Sequence, residues 1–237
     1  MRSALNQSMQ QRTAALAAGI SLIVMALAAF FSYGYAHGTL INFEDADATL
    51  NRLMSSSMLF KAEILGWLII LICDIIVAWA FYVFLKPYHH HLSLLGAWFR
   101  LIYTSILGAA ILNLFIVMIL TGQANVQILL ETPQQQAQVM VALAAFESTW
   151  SFGLIVFGGH LLITGLVAYK ADPIPRWISI LLLIAALGYL FTHLFSIVYA
   201  QENKAIEILT MILTVPMTIG ELGFGLWLLF RGGKSVS

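Results

Sequence analysis

Residues 59–85 read LFKAEILGWLIILICDIIVAWAFYVFL. The run holds only Lys61, Glu63 and Asp74 as charges. An α-helix needs about 20 apolar residues to cross a bilayer. The apolar residues here are continuous rather than alternating, which excludes the period-two pattern of a transmembrane β-barrel. Five further runs share this character, at residues 13–36, 97–121, 138–169, 177–200 and 206–230. The chain therefore reads as an all-α polytopic membrane protein, a six-transmembrane-helix bundle. It forms a single transmembrane domain over residues 1–237.

The whole sequence agrees with that reading. Of 237 residues, 61% are hydrophobic and 9% charged, and mean hydropathy is +0.91. Soluble domains carry about 25% charged residues, so this chain lacks the polar surface of a soluble enzyme. Lys+Arg and Asp+Glu are both 11, and with no net charge to recruit polyanions, nucleic-acid binding is excluded as well. The lone Cys73 rules out a disulfide framework or a cysteine-based zinc site. The partner that remains certain is the lipid bilayer.

Basic residues set the orientation, because they stay on the cytoplasmic side. Arg2, Arg12, Lys86, Arg100, Lys170, Arg176, Arg231 and Lys234 fall on one side of the six-span topology. The other side has only Arg52, Lys61 and Lys204, beside Glu44, Asp45, Asp47, Glu131, Glu202 and Glu207. N- and C-termini are expected in the cytoplasm. Gly34-Tyr35-Ala36 has the small-x-small form of a leader cleavage site. The apolar stretch before it exceeds the roughly 7–15 residues of a signal core, so the first run is read as a retained helix.

Finer features follow from local chemistry. The 138–169 run is longer than a bilayer requires, and must tilt, kink or protrude. A short outer helix is expected from Asp47 to Ser57, with Asp47 as its N-cap. Small residues predict close helix contacts: Ala14/Ala18 and Ala15/Gly19 in the first helix, Gly153, Gly158, Gly159 and Gly165 in the fourth, and Gly220, Gly223 and Gly225 in the sixth. Pro216 should free the Ile212 carbonyl and bend the last helix.

Polar groups inside apolar runs carry the functional information. A charge at mid-bilayer costs about 2.5–3.5 kcal/mol on insertion scales. Asp74, Glu147 and Glu221 are deep acids, Glu63 lies nearer the outer end, and Arg100, His160, His193 and Asn113 are further candidates. Three deep acids face one deep permanent cation, so at least one acid should be protonated, exchange a proton or bind an external cation. Helical rise puts Asp74, His160 and Glu221 at similar depths, about 13–17 Å from the cytoplasmic helix ends, with Arg100 able to reach inward. These four make the candidate intramembrane polar site, and Arg100 is expected to approach Glu221 or Asp74. Glu63, Glu147 and His193 make a secondary outer group by the same depth argument.

Each candidate has a plainer reading. Arg100 could anchor at the headgroups, and His160 and Glu221 could simply hydrogen-bond between helices. His160 and His193 lack the matched depth of a haem pair. His89-His90-His91 reads as a solvated loop triplet, with no ligand set around it. Walker, nucleophile-elbow and zincin motifs are absent. No metal site is indicated, and the sequence leaves any cofactor unknown.

One stretch is distinctive: Trp150-Ser151-Phe152-Gly153-Leu154, Phe157-Gly158-Gly159-His160-Leu161-Leu162, then Ile174-Pro175-Arg176-Trp177 and Ala186-Leu187-Gly188-Tyr189-Leu190. With Asp74 to Pro87, Trp98-Phe99-Arg100-Leu101, Gly220-Glu221-Leu222 and Trp227-Leu228-Leu229, it resembles the bacterial membrane family catalogued as domain of unknown function 4386, over about residues 42–233. The resemblance implies a multi-helix protein of the bacterial cytoplasmic membrane and brings no catalytic residues. The family pattern includes the positions of Asp74, Arg100, His160 and Glu221. This chain departs from it at His193 and Lys61, which weakens the outer group.

Three functions stay open. One is non-enzymatic binding or movement of a small solute, proton or cation through the polar pocket. Another is a membrane-embedded enzyme acting on a lipid-like substrate. The third is a structural or regulatory membrane partner.

Overall fold

The computed structural model describes the backbone of residues 2–122, 131–198 and 204–233, with side chains from residue 9 onward apart from 196–198, 204–207, 209 and 210. The described residues contain helices and connections, and no strand. Helix α1, Arg2–Ala29, continues without a break through a π-helical stretch, Phe30–His37, into the short α2, Gly38–Leu40. Then come α3 (Ala46–Ser55), α4 (Ser57–Leu85), α5 (His90–Gly122), α6 (Thr132–Tyr169), α7 (Arg176–Val198) and α8 (Lys204–Phe230). Among the described residues six helices are long and apolar enough to cross a membrane, the number read from the sequence. They expose large apolar side chains such as Leu65, Leu112, Val141 and Met211. Lipid tails rather than water suit such a surface.

Several boundaries move for identifiable reasons. Asp45, not Asp47, caps α3: its Oδ1 accepts from the Ala48 amide at 2.8 Å, the bond that favours aspartate at this position. The histidine triplet is not a loop. His90 and His91 open α5, and His89 Nδ1 accepts from the Leu92 amide at 3.2 Å, a helix cap made by an imidazole. Helix α6 has 38 residues, about 57 Å at 1.5 Å per residue, well beyond the roughly 30 Å of a bilayer core. Its first turn is anchored where Gln135 Nε2 donates to the Leu120 carbonyl at 2.7 Å.

The chain forms two compact units. One contains Met1–Val24, Cys73–Thr104 and Phe152–Ser237; the other contains Met25–Ile72 and Ser105–Ser151. In the first, backbones approach closely through small residues. A Cβ on Gly19 would lie 2.8 Å from the Gly225 carbonyl, and one on Gly220 would lie 3.0 Å from the Leu181 carbonyl. Gly223, by contrast, faces open space. Arg12 closes this unit at the end of α8, donating to the carbonyls of Leu228, Leu229 and Gly232 at 3.2, 2.9 and 2.8 Å. Leu228 and Leu229 stand in the last turn of α8, where carbonyls lack intrahelical partners, although the Leu228 carbonyl also accepts from the Gly232 amide at 3.1 Å; a cation there also complements the helix dipole. In the second unit Gly66 is the position of closest approach, against Ser32 and the Ala28 carbonyl.

Candidate functional site

Arg100 is fully buried in the first unit, with Asp74 and His160 beside it. Asp74 stands on α4, Arg100 on α5, His160 on α6 and Glu221 on α8. Close packing of these helices brings their few polar groups into the same volume, where hydrogen bonds between helices hold them. Arg100 Nε donates to Asp74 Oδ1 at 2.8 Å, and Nη2 lies 2.6 Å from the same oxygen. Nη1 donates to Glu221 Oε1 and lies 3.1 Å from His160 Nε2. The guanidinium also lies against Phe81 and Phe157, with ring centroids 5.6 and 5.3 Å away. Burial therefore gives this cation two carboxylates and two aromatic faces in place of water, as a desolvated arginine requires.

The hydrogen bonds assign the state of His160. Its Nδ1 is 2.8 Å from the Gly96 carbonyl, which can only accept, so Nδ1 carries the hydrogen. Nε2 faces the Arg100 donor and so offers its lone pair. The imidazole is neutral, in the Nδ1–H form. A small cleft lined by Phe81, Leu92, Ser93, Gly96 and Thr164 borders the same ring.

Charge does not close at this site. One guanidinium faces two carboxylates and a neutral imidazole. Asp74 Oδ2 is buried with no hydrogen-bond partner, and the Glu221 side chain is 15% exposed. Among the described residues no three of His, Cys, Asp and Glu group as metal ligands; the guanidinium fills the space between the two acids.

The secondary group is arranged differently from its sequence reading. Glu63 and Glu147 meet in the second unit, and the group between them is His37. Nδ1 of His37 is 2.7 Å from Glu63 Oε1, and Nε2 is 3.0 Å from Glu147 Oε1. His193 belongs to the first unit, where its ring stacks on Tyr189 at 6.1 Å. Similar depth on separate helices said nothing about which helices touch. His37 escaped attention because it follows the estimated end of the first apolar run. The Tyr33–His37 spacing of four, on a run extending to Leu40, is the signal that marks it. Asn113 turns back on its own helix, donating to the Ala109 and Ala110 carbonyls at 3.3 and 3.2 Å, and joins neither group.

Among known proteins, an uncharacterised protein of Archaeoglobus fulgidus is 29% identical over 172 residues, spanning 73% of this chain and 85% of that protein. The similarity thus reaches an archaeon and is not confined to bacteria. No solved structure matches significantly. Residues 17–232 match the family described as Domain of unknown function (DUF4386), and with nearly the whole chain covered, the protein belongs to that family.

Proposed function

We propose that this is a multi-pass, single-domain protein of the cytoplasmic membrane, with both termini in the cytoplasm. Its Arg100 site binds one exchangeable positive charge, a proton or a small monovalent cation. This site is the centre of a non-enzymatic activity that binds or moves a small solute, proton or cation. The carrying observation is the surplus carboxylate: Arg100 neutralises one acid of two, and Asp74 Oδ2 is buried without a partner. An ionised oxygen so placed is costly, and a proton or bound cation removes the cost. Neutral His160 steadies the guanidinium, with Nε2 accepting from Arg100 and Nδ1–H held by the Gly96 carbonyl. Intramembrane ionisable residues commonly mark such pathways.

Infrared spectroscopy of the protein in lipid tests this. A protonated-carboxyl band is expected near neutral pH, lost in Asp74→Asn or Glu221→Gln, and reduced by alkaline pH or by sodium, potassium or ammonium. Two carboxylates ionised from about pH 4 to about pH 9, with no response to those ions, would leave the site a structural ion pair and sink the proposal.

A further inference from the structure

The second unit contains an arrangement that the Arg100 site does not use. His37 lies between two carboxylates, on the π-helical stretch of the first span. Such stretches are rare and concentrate at functional sites. The three ionisable groups differ in access. The Glu147 side chain is 29% exposed, that of His37 8% and that of Glu63 0%. Glu63 Oε2 is buried and has no hydrogen-bond partner.

Aromatic rings close one side of the triad. Tyr33 stands one turn before His37, Trp67 one turn after Glu63, and Trp150 one turn after Glu147. Tyr33 meets Trp150 at 4.9 Å and Trp67 at 6.2 Å, and Trp67 meets Trp150 at 4.9 Å. The first span therefore runs opposite to α4 and α6, and the three rings form a layer on one side of the ionisable groups. Phe146 covers His37 and Trp67. The Trp67 indole N–H is buried and also has no partner. No other charge of the unit intrudes: Glu44, Asp45, Asp47, Arg52, Lys61 and Glu131 are all exposed, and α5 brings no ionisable residue between Ser105 and Gly122.

A count of hydrogens defines the chemistry. Both imidazole nitrogens face carboxylate oxygens, and a neutral imidazole has one N–H. The Nδ1 bond to Glu63 takes that one hydrogen, which leaves the Nε2 lone pair facing the Glu147 carboxylate at 3.0 Å; the repulsion is relieved when the ring is an imidazolium or Glu147 is protonated. We propose that Glu147, His37 and Glu63 form a proton-loading relay, with Glu147 as the port, His37 as the carrier and Glu63 as the store. In the loading step the Glu147 Oε1–H bond breaks as a proton passes to Nε2. The Nδ1–H bond breaks as its proton passes to Glu63 Oε1. Glu147 ends as a carboxylate, His37 as the Nε2–H tautomer and Glu63 as the neutral acid, with charge and protons conserved. The Nε2–Glu147 contact is at ion-pair distance without hydrogen-bond alignment, so the transfer waits on rotation of the Glu147 carboxyl. This relay shares no residue with the Arg100 site and stands or falls without it.

Hydrogen–deuterium exchange of the full chain in lipid nanodiscs, followed by infrared difference spectroscopy, tests the relay. The wild-type protein should show, between about pH 4 and about pH 9, a protonated-carboxyl component that Glu63→Gln removes and that persists in Asp74→Asn. Deuteration of that component should slow by about tenfold or more in Glu147→Gln and in His37→Gln. Its absence from the wild-type protein overturns the proposal whether or not the variants fold. So does an exchange rate that neither substitution changes, because a merely structural triad would not set that rate.

Discussion

Arg100 holds Asp74, Glu221 and His160 together, and the two acids depend on it unequally. Asp74 has no exposed side-chain surface and makes two contacts to Arg100 through Oδ1, whereas Glu221 is 15% exposed and makes one. Arg100→Met alone should destabilise the protein by about 3–5 kcal/mol, because it leaves buried acids uncompensated. Adding Asp74→Asn should restore more of the loss than adding Glu221→Gln. A double-mutant cycle by equilibrium unfolding in lipid or detergent measures both couplings; strict additivity in both would refute the ionic site. The meeting of these residues was legible in the sequence because each is costly where it stands and only one buried cation was available to the acids. The cluster of the second unit was half legible. Glu63 and Glu147 were conspicuous, but depth along a helix does not reveal azimuth. His37 stood just past the estimated end of the first run, and only its spacing of four from Tyr33 marked it as part of the same helix face.

Small residues act at the scale of helices. Gly19 meets the Gly225 carbonyl and Leu229, so even a methyl group there must push backbone apart. Gly19→Ala should cost about 1–3 kcal/mol, the range for overpacking. Gly223→Ala enters open space and should be neutral or stabilising by up to about 1 kcal/mol, because alanine is the better helix former. Thermal unfolding of the two variants in the same detergent distinguishes them, and equal effects would contradict the packing described. The spans themselves were plain in the sequence, since a continuous apolar run has few other physical outcomes. Their ends were less so. His89 caps α5 and Asp45 caps α3 through single hydrogen bonds, and composition does not choose between Asp45 and Asp47 for that role.

At the scale of the whole molecule, the Arg12 contacts place the beginning of the first span and the end of the last on one side. In the topology proposed above that side is the cytoplasm, where basic residues gather. A periplasm-active reporter fused to Ser237 should be silent and a cytoplasm-active one functional, and fusions at Met1 should report the same side. Activity in the periplasm, or a split result, would contradict the topology. The same contacts have a consequence in the order of synthesis. Arg12 is synthesised before the carbonyls it binds, which follow 216 to 220 residues later. Until they are made its guanidinium has no such clasp, and a chain that stops short of Gly232 cannot complete it.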